Sequence, residues 1–349
     1  MSKSHDYVER LNYSSKAIAD LEYYAKYNHE NGAIHSAKWL RKITKILDNS
    51  VKFILPNRAE LLDLESYSQQ HFNLLKLPYP VCAFEFPAID GAPDFNTGIE
   101  TMPSPKRIAL CIETDSGVLE DHPNIRSITD SFEEGGVFVF SIYFQGNMWG
   151  LYPGGSFIPY SGEVTDRPTT QADKIHSQWV EDSGRVPSKK GTNAHFPNMP
   201  FVFLPELAEE LFVRLNGDET KLKALIGADT ADECKALLQA CSVINCKNVE
   251  IDEVPIPRAL QLKRNKKGKS KLYSYKVLAI GQEFYKLHQG KGGQKQAGKK
   301  RMHLRRGHIR HYEDGSTTWV RHTTVNATST DSVNKDYRVK KPKQPIIQK

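Results

Sequence analysis

No run of eighteen apolar residues occurs in this 349-residue chain, so a membrane-spanning helix is not expected. The opening segment MSKSHDYVERLNYSSKAIADLEYY is polar and lacks the apolar centre of a secretion signal, which points to the cytoplasm. Cysteine is sparse. The five residues Cys82, Cys111, Cys234, Cys241 and Cys246 are odd in number and form no CxxC pair. That pattern excludes a disulfide scaffold and predicts buried free thiols in a reducing compartment. Cys234 and Cys241 stand seven apart on one helical face, a spacing for core packing rather than metal ligation. Neither a GxSxG elbow nor an HExxH helix appears, which removes two familiar hydrolase classes.

What is present is an uneven distribution of charge. The net charge of +7 conceals two opposed parts. From Arg258 onward there are 24 Lys plus Arg against 5 Asp plus Glu, a net of +19. The first 257 residues hold the remaining 24 bases and 36 acids, a net of −12. An acidic body carrying a basic tail predicts an anionic partner for the tail, with nucleic acid or a ribosomal surface as the natural choice.

Apolar periodicity predicts an α+β fold: a helical N-terminal part, a central antiparallel sheet, a helical segment and a basic C-terminal β-hairpin region. The expected divisions are a helical region over 1–78, an acidic α+β body over 79–256, and a basic region over 257–349. The last contains a Gly/Lys linker at 290–300 and a hairpin at 301–326. Within the first region, three helices are expected: one to Tyr27, one from His35 with Trp39, Ile43 and Leu47 on one face, and one opened by Pro56. PVCAFEFPA, RIALCIET and GVFVFSIYFQG read as strands, and WGLYPGGSFIPY as a strand pair turning at Pro153, Gly154 and Gly155. Residues 161–199 read as a long loop, 204–246 as helical, VEIDEVPIP as a strand, and KRNKKGKSKLYSYKVLAIG as a basic loop entering a strand.

Two motifs nearly fit known chemistry. The stretch from Gly293 to Lys300 mimics a GxxxxGK phosphate loop, but Lys300 stands where Ser or Thr must hold magnesium. Asp94 with Glu113 resembles a nuclease carboxylate pair, yet Asp115 stands where the usual lysine would be. Those two carboxylates remain able to hold magnesium, or to be solvated strand-end acids.

The densest chemistry lies in KKRMHLRRGHIRHYEDGSTTWVRHTT, residues 299–324. Asp314 and Gly315 form a hairpin-turn signal between two strands. Met302, Leu304, Arg306, His308 and Arg310 are expected along one face; Arg301, His303, Arg305, Ile309 and His311 along the other. Neither face is apolar, so core packing alone does not explain the strand. The arginines repel a divalent cation and favour neutral imidazoles, a combination suited to phosphate contact and base stacking. The expected anion- or nucleic-acid-binding set is therefore Lys299, Lys300, Arg301, His303, Arg305, Arg306, His308, Arg310, His311, Trp319 and Arg321. No catalytic residue, metal ligand or cofactor is assigned. A structural role, acid–base RNA cleavage by His303, His308 and His311, and metal binding stay open as alternatives. Trp319 either stacks on an arginine or base, or packs inward.

His303, Leu304, Arg305, Arg306, Gly307 and His308, followed by Trp319, Val320, Arg321, Val325 and Asn326, carry a resemblance. The arrangement resembles the C-terminus of a phage and mobile-element family best known for a type V-A anti-CRISPR protein. The resemblance implies an anti-defence protein of the bacterial host cytoplasm that suppresses production of the CRISPR effector nuclease. It would recognise the effector's nascent N-terminal peptide and promote loss of the mRNA being translated, while its basic tail contacts RNA or ribosome. The implied partners are thus a nascent polypeptide and RNA or ribosome, with no membrane. An RNA nuclease and a nucleic-acid-binding phage structural protein are the competing readings.

Overall fold

The computed structural model describes residues 12–62, 67–88, 104–182, 195–246, 249–280, 303–305, 308–312, 316–320 and 323–325. Among these, an eight-stranded sheet runs in the order β6-β5-β4-β3-β2-β1-β8-β7. Its strands are β1 (Val51–Ile54), β2 (Val81–Pro87), β3 (Lys106–Glu113), β4 (Gly136–Gln145), β5 (Met148–Pro159), β6 (Met199–Val202), β7 (Val249–Val254) and β8 (Tyr275–Ile280). The fold is α+β and the sheet is mostly antiparallel, as the patterning predicts. The exception is β1, which runs parallel to both of its neighbours, β2 and β8.

Helices cover both faces of the sheet. On one side lie α1 (Tyr13–Glu30) and α2 (Ile34–Asn49), which bury Leu21, Ala25, Trp39, Leu40, Ile43 and Leu47 against Ile108, Leu110, Phe138 and Phe140. On the other lies α8 (Ala231–Ile244), whose Leu237, Leu238 and Cys241 meet Phe84, Ala109, Cys111 and Val139. Successive residues of β3 and β4 point to opposite faces, and both faces are buried. That is why IALCI and VFVF are continuous apolar runs rather than alternating ones. All five cysteines are buried free thiols, with Cys82 directly across from Cys111 in the β2–β3 ladder. Burial pushes the Cys82 thiol up to about 12, so it stays protonated and unreactive.

Several local expectations are corrected. The helix expected from Pro56 is not continuous: a short 3-10 turn (Asn57–Ala59) and a single helical turn, α3 (Gln69–Phe72), stand there instead. Leu62 is tied to α8 by Gln239, which accepts from its N–H at 2.7 Å and donates to its carbonyl at 3.1 Å. These tertiary bonds compete with helix propagation. β1 falls inside the segment read as helical; at four residues it is too short to show a period.

Pro153, Gly154 and Gly155 form no turn, because β5 is one unbroken strand. The register shifts between Phe140 and Ile142 of β4, and this bulge accommodates a proline that has no N–H to give. A Cβ on Gly154 would lie 2.6 Å from Cδ1 of Ile226, so the glycine permits close approach of α7 (Glu219–Asp229). The segment 161–199 is not all loop, since α5 (Gln171–Asp182) lies within it. Beyond it, α4 (Pro123–Thr129) and α6 (Pro205–Arg214) complete the helices of the body. No helix among the described residues is long and apolar enough to cross a membrane.

Buried polar residues tie the chain's beginning to its basic part. Glu85 of β2 accepts from the N–H groups of Tyr13 and Ser14 at 2.7 and 3.1 Å and from the Ser14 hydroxyl at 2.6 Å. A carboxylate at the α1 N-terminus satisfies donors that the helix leaves open. Lys52 does the converse at the end of α2, donating to the carbonyls of Leu47, Asp48 and Ser50. Tyr273 then bonds to Asn12 through its backbone N–H and carbonyl, and its hydroxyl donates to Asp48 at 2.6 Å. The segment leading into β8 is therefore locked into the body.

Candidate nucleic-acid interface

The expected hairpin is formed. β10 (His308–His311) pairs antiparallel with β11 (Thr317–Val320), and β9 (His303–Arg305) pairs antiparallel with β12 (Thr323–Val325). The two ladders share one register, so they are inner and outer stretches of a single ribbon. The N–H of Tyr312 donating to the Ser316 carbonyl at 3.0 Å continues it toward the tip. Register places Arg310 across from Thr318, Ile309 from Trp319, and His303 from Val325.

His303 and Arg305 thus lie on β9, His308, Arg310 and His311 on β10, and Trp319 on β11. Lys299, Lys300, Arg301, Arg306 and Arg321 lie outside the described residues. Arg310 and Tyr312 are exposed, whereas Thr317 and Thr318 are buried. The Thr317 hydroxyl reaches the carbonyl of Asn245 just beyond α8 at 3.5 Å. Burial raises the pKa of Cys246, and the Thr317 hydroxyl opposes that rise. The inner ribbon accordingly rests by β11 on the α8 end while Arg310 of β10 and Tyr312 just beyond it are open to solvent. That pairing suits phosphate contact with adjacent base stacking. Tyr312 was not among the expected residues; its place between Arg310 and the turn was the available signal.

The stretch from Gly293 to Lys300 and residue Asp94 lie outside the described residues. Glu113 at the end of β3 accepts from the Tyr160 hydroxyl at 2.7 Å. Burial, with Glu113 beside it, raises the pKa of Tyr160 far above the ordinary phenol range. No group of three His, Cys, Asp or Glu among the described residues is arranged to hold a metal ion.

The helix α9 (Arg258–Asn265) takes in the first three residues of KRNKKGKSK, whose remainder is turn and loop as expected; RALQL ahead of it is given no element by the sequence reading. Pro257 before its first residue and Gly268 after its last turn were legible start and stop signals. Leu260 packs with Leu272, Tyr275 and Val254. Gln261 accepts from the N–H of Leu272 at 3.1 Å, and Arg264 donates through Nε to the carbonyl of Ser270 at 3.0 Å. Gly268 adopts a φ of +62°, and the next N–H, of Lys269, returns to the Arg264 carbonyl, closing the helix end.

No curated protein and no solved structure matches the chain. The AcrVA2-like family, described as anti-CRISPR type V subtype A2, matches residues 56–327. That span runs from the turn after β1, through the sheet and α8, to just past β12. It covers well over half of the sequence, and the chain belongs to the AcrVA2-like anti-CRISPR family.

Proposed function

We propose that this anti-CRISPR family member recognises the nascent N-terminal peptide of a type V-A CRISPR effector nuclease and promotes loss of the mRNA being translated. In this reading the acidic body holds the peptide and the basic C-terminal region contacts RNA or ribosome. The site of action is the bacterial host cytoplasm. The observation that carries the reading is family membership through the end of the hairpin, joined to the charge split of −12 before Arg258 and +19 from it onward. An acidic surface attracts a basic peptide, and a cationic hairpin attracts phosphate. The hairpin displays Arg310 and Tyr312 on a ribbon braced by α8, which supports binding rather than bond cleavage.

The test is crosslinking in cells that produce both proteins, followed by identification of the crosslinked nascent chains and RNA. The reading predicts enrichment of ribosomes carrying the effector's first residues. Crosslinks confined to the finished effector, with none to nascent chains, would overturn it.

A further inference from the structure

We propose that α9 and the lysine turn behind it form a second docking surface, one for the phosphate backbone of RNA. It uses residues separate from the hairpin. It rests on the proposed contact of the basic region with RNA and deepens it by naming a second set of residues.

Between Arg258 and Lys271 there are seven cations and no acid. Lys271 is engaged by Asp48 at 3.3 Å, and Arg264 reaches the Ser270 carbonyl. Arg258, Lys263, Lys266, Lys267 and Lys269 are exposed, and none has an acidic partner among the described residues. Helix stability does not account for them. The helix dipole favours cations at its C-terminal turn, but Arg258 is the first residue, where the dipole disfavours a positive charge. Lys267 and Lys269 lie beyond the helix, on the turn that Gly268 closes.

Nor is this a solvated tail. Leu260 is seated among Leu272, Tyr275 and Val254, and Gln261 is bonded to the backbone that enters β8. β8 in turn lies between β1 and β7 in the main sheet. The cations are therefore held on a scaffold whose side-chain entropy, rather than backbone entropy, is the main cost of binding.

Unpaired lysines and arginine without acids between them match a polyphosphate backbone, which gains affinity by releasing counterions. A membrane surface fits less well. An interfacial helix buries an apolar face, and here Leu262 is the one large apolar side chain of α9 that is exposed.

The experiment uses the full chain with Lys263→Glu, Lys266→Glu, Lys267→Glu and Lys269→Glu combined. Lys271 is left in place because it pairs with Asp48. Binding is measured across a salt series to three labelled probes: a ribosomal RNA helix, an unstructured single-stranded RNA, and vesicles of phosphatidylglycerol. The expected result is a loss of roughly tenfold or more in RNA affinity near 0.1 M salt, with the salt slope reduced by about 3. Loss on the ribosomal helix alone assigns the surface to ribosomal RNA, and equal loss on both RNAs assigns it to any phosphate backbone. If charge reversal lowers the melting temperature, the Lys→Gln version of the same four sites replaces it. Unchanged RNA affinity and slope in a well-folded variant would overturn the proposal, as would a loss confined to the vesicles. Failure of nascent-peptide recognition leaves this measurement intact, because it uses purified RNA without ribosomes.

Discussion

Arg107 on β3 and Glu233 on α8 form a two-pronged ion pair, Nε to Oε1 at 2.6 Å and Nη2 to Oε2 at 3.0 Å. The same guanidinium donates to the Asp229 carbonyl at 2.8 Å and the Ser141 hydroxyl at 3.2 Å. Nearby, the hydroxyls of Ser156 and Thr230 meet at 2.6 Å. These bonds fix the joint between α7 and α8 on the sheet, and with it the α8 end on which the hairpin rests. Replacing Arg107 by Met leaves a fully buried carboxylate unpaired, at an expected cost of about 3–5 kcal/mol. The double variant Arg107→Met, Glu233→Leu should lose less than Arg107→Met alone. Urea denaturation of the three proteins checks both statements; a double variant weaker than the single would contradict the second.

Glu85 carries a pH signature. Burial pushes its carboxyl up to about 7, against the hydrogen bonds from Ser14 and Tyr13 and the charge of Lys52. A raised carboxyl pKa means that the folded chain holds the proton more tightly than the unfolded one. Its contribution is present in full below the ordinary carboxylate range, near 4.5, and is lost as pH rises through about 7. Glu85→Gln should remove that component. Between pH 5 and 7.5 the variant should therefore gain stability relative to wild type, on the order of 2–3 kcal/mol across the window. Parallel melting curves of the two proteins over this range would contradict the assignment.

The basic part of the chain cannot be cut away at the charge boundary. β7 has β8 as its one strand neighbour among the described residues, and β8 is the link to β1. A chain ending at Glu253 loses β8, leaves β7 unpaired, and removes Tyr273 from Asn12 and Asp48. It should show a melting temperature lower by several degrees, or fail to remain in solution, by the scale of roughly 2 °C per kcal/mol for a chain of this size. A chain ending at Gln289 keeps β8 and should melt close to wild type while losing cellular function. Full activity in a folded 1–289 chain would sink the assignment of RNA or ribosome contact to the hairpin.

How much of this was visible in the sequence depends on length and period. The helices around Trp39 and Leu237 were legible because each repeats its period several times, and the strands around Ile108 and Phe138 because each is a β-branched and aromatic run bounded by turn residues. β1 was not: VKFI is too short to distinguish a strand from a continuing helix, and it becomes a strand through pairing with β2 and β8. Pro153 and the two glycines after it carried a true signal of irregularity with the wrong consequence, a bulge and a close approach of α7 in place of a turn. The hairpin was legible from Asp314 and Gly315. α9 was obscured by its shortness and by the lysines that follow it, although Leu260 and Gln261 seat it. The bonds of Glu85 to α1 link residues some seventy positions apart, and no local pattern announces them.

The hairpin's cations should bind rather than cut. If these arginines are the phosphate contacts proposed for them, alanine at Arg305, Arg306 and Arg310 should weaken RNA or ribosome association by roughly tenfold or more and flatten its salt dependence. His308→Ala should change binding or folding without abolishing any RNA cleavage, because no cleavage is expected from the purified protein. Both are read by filter binding and by gel analysis of labelled RNA, with and without EDTA. Cleavage by pure wild type that vanishes in His308→Ala would favour a nuclease.

The most direct measurement is the half-life of the effector mRNA in cells producing this protein, for three forms of the effector gene. One is natural, one has its first codons recoded synonymously, and one encodes an altered N-terminal peptide with minimal nucleotide change. Recognition of the nascent peptide predicts rapid loss of the natural and synonymous messages and protection of the third. Protection that follows nucleotide sequence instead, or equal half-lives in all three, would contradict it.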